Sequence, residues 1–165
     1  MKFAVRFLLL AAAVAGCIWL WTILFPSPEK IIRLQIGRLA KAASFDSNEG
    51  TLVVLNKAER LGGFFNTNVE VNLDVPWRFQ HSFASRSEIT QAAAAAHSAV
   101  GGLKVEFLDV DVKIGPDKLS ATADLTVRAQ ASNEKDFITQ EMKFTFQKID
   151  GDWLITRVET VRTLT

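Results

Sequence analysis

Between residues 74 and 81 the chain gathers a carboxylate, two aromatic rings and an imidazole: Asp74, Trp77, Phe79 and His81, with Pro76 among them. Aromatic walls with a few polar groups are how a pocket holds and orients an apolar ligand, so these four are the candidate binding residues. The same residue types also serve as packing rings and solvated strand-end acids, and that reading stands beside the first. Elsewhere there is no Ser-His-Asp order, no glycine-rich phosphate loop and no carboxylate pair, and the chain contains no tyrosine. No catalytic residue is assigned. His81 and His97 are the only imidazoles and lack a paired-ligand spacing, and Cys17 is the only cysteine. Disulfides within the chain, iron–sulfur ligation and a Cys-based zinc site are thereby excluded, and no metal or cofactor is implied.

Cys17 sits in a segment with two readings. Residues 7–25 are uncharged and mostly apolar. As a helix they would span about 28 Å, close to the roughly 30 Å hydrocarbon core of a bilayer. Trp19 and Trp21 lie in the distal half, at headgroup level, and Pro26-Ser27-Pro28 ends the helix. The alternative is a lipoprotein box, Val14-Ala15-Gly16-Cys17, with Cys17 as the lipidated residue. A polar tether should follow such a cysteine, whereas Ile18 to Phe25 is again mostly apolar, so an uncleaved anchor is preferred. The basic start at Lys2 and Arg6 resembles an export signal, although Lys30, Arg33, Arg38 and Lys41 behind the segment pull the other way. The expectation is a single-pass protein of the bacterial inner membrane, with residues 1–26 as anchor and residues 27–165 as one extracytoplasmic domain.

That domain has a size suited to a single core. The chain carries 19 Lys plus Arg against 18 Asp plus Glu, and without Lys2 and Arg6 the balance is 17 against 18, which leaves no electrostatic footprint for nucleic acid. Ser27-Pro28-Glu29 opens a helix to about Ala43, with Ile32, Ile36 and Leu39 on its packed face and the four cations solvated. Asp46-Ser47-Asn48-Glu49 offers a capping box for a second helix packing through Leu52, Leu55, Ala58 and Leu61 and halted by Gly62-Gly63. Asn68 to Val75 alternates as a half-buried strand, and a loop carries Trp77, Phe79 and His81. Ser85 to Glu88 caps a third helix, from about Arg86 to Ala99, whose five alanines at 92–96 allow close approach to a sheet. Four strands follow, Val105–Ile114, Leu119–Gln130, Phe137–Ile149 and Trp153–Thr163, with turns short enough for hairpins. The predicted class is α+β, a curved antiparallel sheet wrapped around three helices.

This order of elements resembles the nuclear transport factor 2-like superfamily, whose cone fold includes ketosteroid isomerases and polyketide cyclases. The local marks are Ala58-Glu59-Arg60-Leu61 running into Phe64 through Val71, Ser85-Arg86-Ser87-Glu88-Ile89, and Asp150-Gly151-Asp152-Trp153-Leu154-Ile155. In isomerase-like members an aspartate near the end of the first strand is the base, and a tyrosine and a protonated aspartate donate to the developing enolate. Asp74 falls near the base position, but the donors are missing, and a lone carboxylate lacks the oxyanion stabilisation such chemistry needs. The dehydratase-like variant fails for the same want of tyrosine. The expected function is a non-catalytic binding or assembly module of the cell envelope, acting as a homodimer or with an envelope protein. The alternatives are a cone that binds a small apolar ligand and an isomerase-like or dehydratase-like enzyme using Asp74.

Overall fold

Ser27 stops the backbone short of helical angles and its Oγ accepts from the Lys30 amide at 3.4 Å, so α1 (Pro28–Ala43) begins where the Ser-Pro-Glu signal places it. The computed structural model describes residue 14 and residues 26–75, 79–132, 134 and 136–161. Ile32, Ile36 and Leu39 are buried on one stripe of α1, each contributing on the order of 1.5–3 kcal/mol by its transfer from water. Two side chains fix the crossing of α1 over the sheet. The Arg33 guanidinium donates to the Val110 carbonyl, and Gln35 Nε2 donates to the Trp153 carbonyl at 2.5 Å. Lys30, Arg38 and Lys41 are exposed, as the helical spacing requires.

Helix α2 (Thr51–Gly62) departs from the sequence reading in two ways. Gly50 is its N-cap and no side chain caps it; Asp46 to Glu49 form a turn ahead of the helix instead of a capping box. Leu52 and Leu55 do not pack: they are 77 % and 49 % exposed, and the buried positions are Ala58 and Gly62. The helix lies against α3 (Arg86–Val100) through Ala58 and Gly62, with Leu61 packed against the core as its spacing predicts and Leu52 and Leu55 left outside. α3 keeps its expected start, with Ser85 Oγ accepting from the Glu88 amide at 3.3 Å and Glu88 Oε2 accepting from the Ala84 amide at 2.8 Å. It ends at Gly101, whose φ of 69° supplies the left-handed cap. Its chief neighbour is α2, with β1 second, so the alanine run serves helix packing more than approach to a sheet.

The sheet has six strands in the order β2-β1-β6-β5-β4-β3. They are β1 (Phe65–Val75), β2 (Phe79–Phe83), β3 (Leu103–Ile114), β4 (Ser120–Ala131), β5 (Ile138–Ile149) and β6 (Asp152–Thr160). The segment read as a loop carrying Phe79 and His81 is thus a strand, paired antiparallel with β1. The predicted all-antiparallel sheet is also corrected. The meander β3 to β6 is antiparallel throughout, but β6 returns beside β1 in parallel, Val71 opposite Val158, so the sheet is mixed.

Two register shifts keep the apolar side chains inside. In β3, Phe107 faces the core before Asp109 and Val110, Val112 and Ile114 face it afterwards, because Asp109 adopts φ 52° and reverses the alternation. In β6, Trp153 and Ile155 are buried and then Val158, across a shift where Thr145 pairs with Arg157 and Phe146 with Ile155. Ala121, Ala123 and Leu125 of β4 and Met142, Phe144 and Phe146 of β5 complete the core under α1, as their alternation predicts. Among the described residues no helix is long and apolar enough to cross a membrane; apart from residue 14, the stretch 7–25, with Cys17, lies outside them.

Candidate functional site

Where α1 ends, the chain does not leave the sheet. Ser44 turns to extended backbone, its Oγ donating to the Ala40 carbonyl at 2.8 Å and accepting from the Val105 amide at 3.0 Å. Phe45 then pairs with Leu103 at the start of β3 through two backbone hydrogen bonds of 2.8 Å. This locks the Phe45 ring against the last turn of α3, where it stacks on His97 with centroids 4.6 Å apart and planes 29° from parallel.

Glu49, in the turn before α2, comes to the same place. Its Oε1 accepts from the Asp46 amide at 3.2 Å and from the Lys57 ammonium, which also donates to the Ser44 carbonyl at 3.3 Å. Its Oε2 stands 3.9 Å from His97 Nε2, beyond hydrogen-bond length. Both atoms are buried and, among the described residues, neither has a hydrogen-bond partner. Leaving such a group unsatisfied costs on the order of 1–3 kcal/mol, which makes the pair a place where something polar is favoured. The hydrogen bond from Lys57 holds the Glu49 carboxyl below the usual carboxylate range against the opposing effect of burial. Oε1 is therefore committed to a cation and Oε2 is the open acceptor.

Beside His97 lies a chamber of about 140 Å³ between α1, α2, α3 and the start of β3. Ala42, Ala43, Ala58, Leu61, Ala93 and Ala96 supply much of its wall, and only Lys57 and His97 among its lining residues carry polar side-chain atoms. A wider groove of about 680 Å³ between the end of α1 and the β3–β4 edge shares Phe45, Lys57 and Leu103 with it. Such an arrangement can hold an apolar body and orient one polar group. Among the described residues no three His, Cys, Asp or Glu side chains converge as a metal-ligating group.

The residues singled out from sequence lie elsewhere. Asp74 is opposite Gln80 and His81 opposite Leu73 in the β1–β2 hairpin, and Phe79 is opposite Val75, so the fold brings these three to one hairpin. Trp77 and Cys17 lie outside the described residues. Sequence alone assigns Glu49 to a capping box and gives His97 no role beyond an imidazole without a paired-ligand spacing. The available signal was the position of His97, one turn beyond Ala93 on an otherwise alanine-rich face. The outer face of the sheet carries ion pairs instead: Lys113 with Asp111 at 3.2 Å and Asp124 at 3.8 Å, and Arg157 with Glu70 at 2.5 Å.

No family model matches the chain, and neither does any curated protein sequence. Solved structures do. An NTF2-like protein with a cystatin-like fold from Novosphingobium aromaticivorans aligns with a TM-score of 0.63 and 18% identity over 89% of this chain and 86% of its own. An NTF2-like protein of unknown function from Pseudomonas putida aligns with a TM-score of 0.61 and 13% identity over 83% and 87%. A candidate scytalone dehydratase from N. aromaticivorans aligns with a TM-score of 0.57 and 15% identity over 81% and 83%. At these identities the likeness establishes the fold alone: the chain has the NTF2-like, cystatin-like architecture.

Proposed function

We propose that residues 27–165 form a non-catalytic binding module that takes up a small, mainly apolar molecule. Residues 7–25 hold it at the bacterial inner membrane, with the module outside the cytoplasm. The observation that supports binding is the chamber beside His97: apolar walls, two polar groups, and a groove sharing three of its lining residues. Composition speaks against isomerase or dehydratase chemistry. The chain has no tyrosine, so Asp74 lacks the donor that would stabilise an enolate.

Assembly, as a homodimer or with an envelope protein, is the second reading, and a specific observation favours it. Leu52, Val53 and Leu55 are 77 %, 47 % and 49 % exposed in the first turns of α2, a contiguous apolar edge of the kind that marks contact surfaces. The sheet's polar face is the weaker surface. There Asp124 already faces Lys113 at 3.8 Å, and the Arg128 guanidinium lies 3.7 Å from the Phe137 ring centroid.

The full chain, purified and extracted into organic solvent, should yield a bound apolar molecule identifiable by mass spectrometry. Ala96→Leu, which fills the chamber, should lose that molecule while keeping the folding transition. A ligand content unchanged by Ala96→Leu would sink the chamber reading. Asp74→Ala should leave ligand content as it was, and ketone turnover that vanishes in Asp74→Ala would overturn the non-catalytic one. Cross-linking that recovers only monomer, with no envelope partner, would remove assembly.

A further inference from the structure

Glu49 Oε2 and His97 Nε2 are both buried, face each other at 3.9 Å and lack a hydrogen-bond partner among the described residues, and of the two His97 lines an apolar chamber. We propose that this pair is a clasp for the hydroxyl group of a small, neutral alcohol or phenol whose hydrocarbon part occupies the chamber. The inference rests on reading the chamber as a ligand site and adds the chemistry of what enters it.

Geometry comes first. An oxygen placed about 2.8 Å from each atom sees them at an angle of about 90°, within reach of a hydroxyl using its proton and one lone pair. The chemistry of the two groups then narrows the choice. An ionised carboxylate only accepts, so the bridging atom must donate to Glu49 Oε2. The imidazole supplies the complementary donor when Nε2 carries its hydrogen, so the same bridging atom accepts from it. One hydroxyl does both.

Charge excludes the neighbours of that class. The Glu49 carboxylate is already hydrogen-bonded to the Lys57 ammonium, so the pair is internally neutralised. A ligand carboxylate at the same point would be set against Glu49 Oε2, and a ligand ammonium would leave one positive charge without a counter-ion in a desolvated place. Size sets the other limit. A chamber of about 140 Å³ is comparable to the engineered cavity of about 150 Å³ that takes up benzene, so one ring or a short branched chain fits.

The test titrates the full chain with phenol, with toluene, which matches its shape without the hydroxyl, and with benzoate, which carries a charge. Phenol should bind about tenfold more tightly than toluene, the effect of a hydrogen-bonding partner for two buried groups. His97→Phe should reduce that ratio to near one while still binding toluene. Because the chain has only two histidines, the imidazole resonances of the unmutated protein give a second readout: His97 should shift with phenol and not with toluene. Equal binding of phenol and toluene, with no His97 shift, would overturn the clasp while leaving the chamber reading intact. Benzoate binding more tightly than phenol would overturn the neutral class. If neither phenol nor toluene binds, the chamber reading itself fails and the clasp falls with it.

Discussion

Gly62 packs against Thr90 and Arg86 of α3, and replacing it with alanine sets two effects of known sign against each other. Helix propensity favours alanine by about 1 kcal/mol. Packing opposes it: a Cβ at this position would lie 2.3 Å from Thr90 Oγ1 and 3.4 Å from Arg86 Cγ. Thr90 is a short, stiff side chain whose hydroxyl donates to the Arg86 carbonyl at 3.0 Å, so it cannot give way without losing that bond or moving α3. Overpacking of this kind costs about 1–3 kcal/mol, so the steric clash outweighs the propensity gain and Gly62→Ala should destabilise by about 1 kcal/mol net. In a domain of this size the melting temperature should fall by about 3 °C. Urea and thermal unfolding measure it, and the double variant identifies the cause. With Thr90→Ala in place the clash is removed, and Gly62→Ala should become neutral or stabilising. A Gly62→Ala protein more stable than the parent would refute this reasoning, since it would mean that Thr90 rotates aside at no cost.

Phe146 is fully buried at the centre of the core, and Phe146→Ala should cost about 3–5 kcal/mol by urea denaturation; a loss below about 1 kcal/mol would place the core elsewhere. The Glu49 carboxyl is held below its ordinary value of 4.5 by Lys57, so its stabilisation is present above that pH and is lost as pH falls through the lower folded-state value. The stability difference between the parent and Glu49→Gln should therefore shrink on acidification below about pH 4.5, and a difference that stays constant would contradict the pairing. Cys17→Ser should leave intact mass and membrane association unchanged if residues 7–25 are an uncleaved span; detection of a shortened, acylated chain beginning at Cys17 would establish the lipoprotein form instead.

Local chemistry made much of the fold legible in the sequence. Ser27-Pro28-Glu29 and Ser85 to Glu88 cap their helices as read, because a cap depends on residues three apart. The inward faces of β4 and β5 followed from strict alternation, since the side-chain period of a strand is a property of the backbone alone. The Asp150-Gly151 turn was legible for the same reason, its positive φ angles of 53° and 96° suiting those two residue types.

What failed were the readings that depend on residues far apart. Ala58 and Leu61 pack as their helical spacing predicts, yet Leu52 and Leu55 with the same spacing stay exposed, because which part of the helix face meets α3 is set by tertiary packing, with the tight contact at Gly62. No local signal says that β6 will lie parallel to β1; that pairing depends on where the chain returns after the whole meander. The candidate site belongs to this second kind. Glu49 belongs to a turn and His97 to the last turn of a helix, and each has an ordinary role when read alone. The end of α1, joined to β3 through Phe45 and Leu103, sets the wall against which the two meet, and the burial that leaves Oε2 and Nε2 facing each other exists only once three helices and a strand have closed around them.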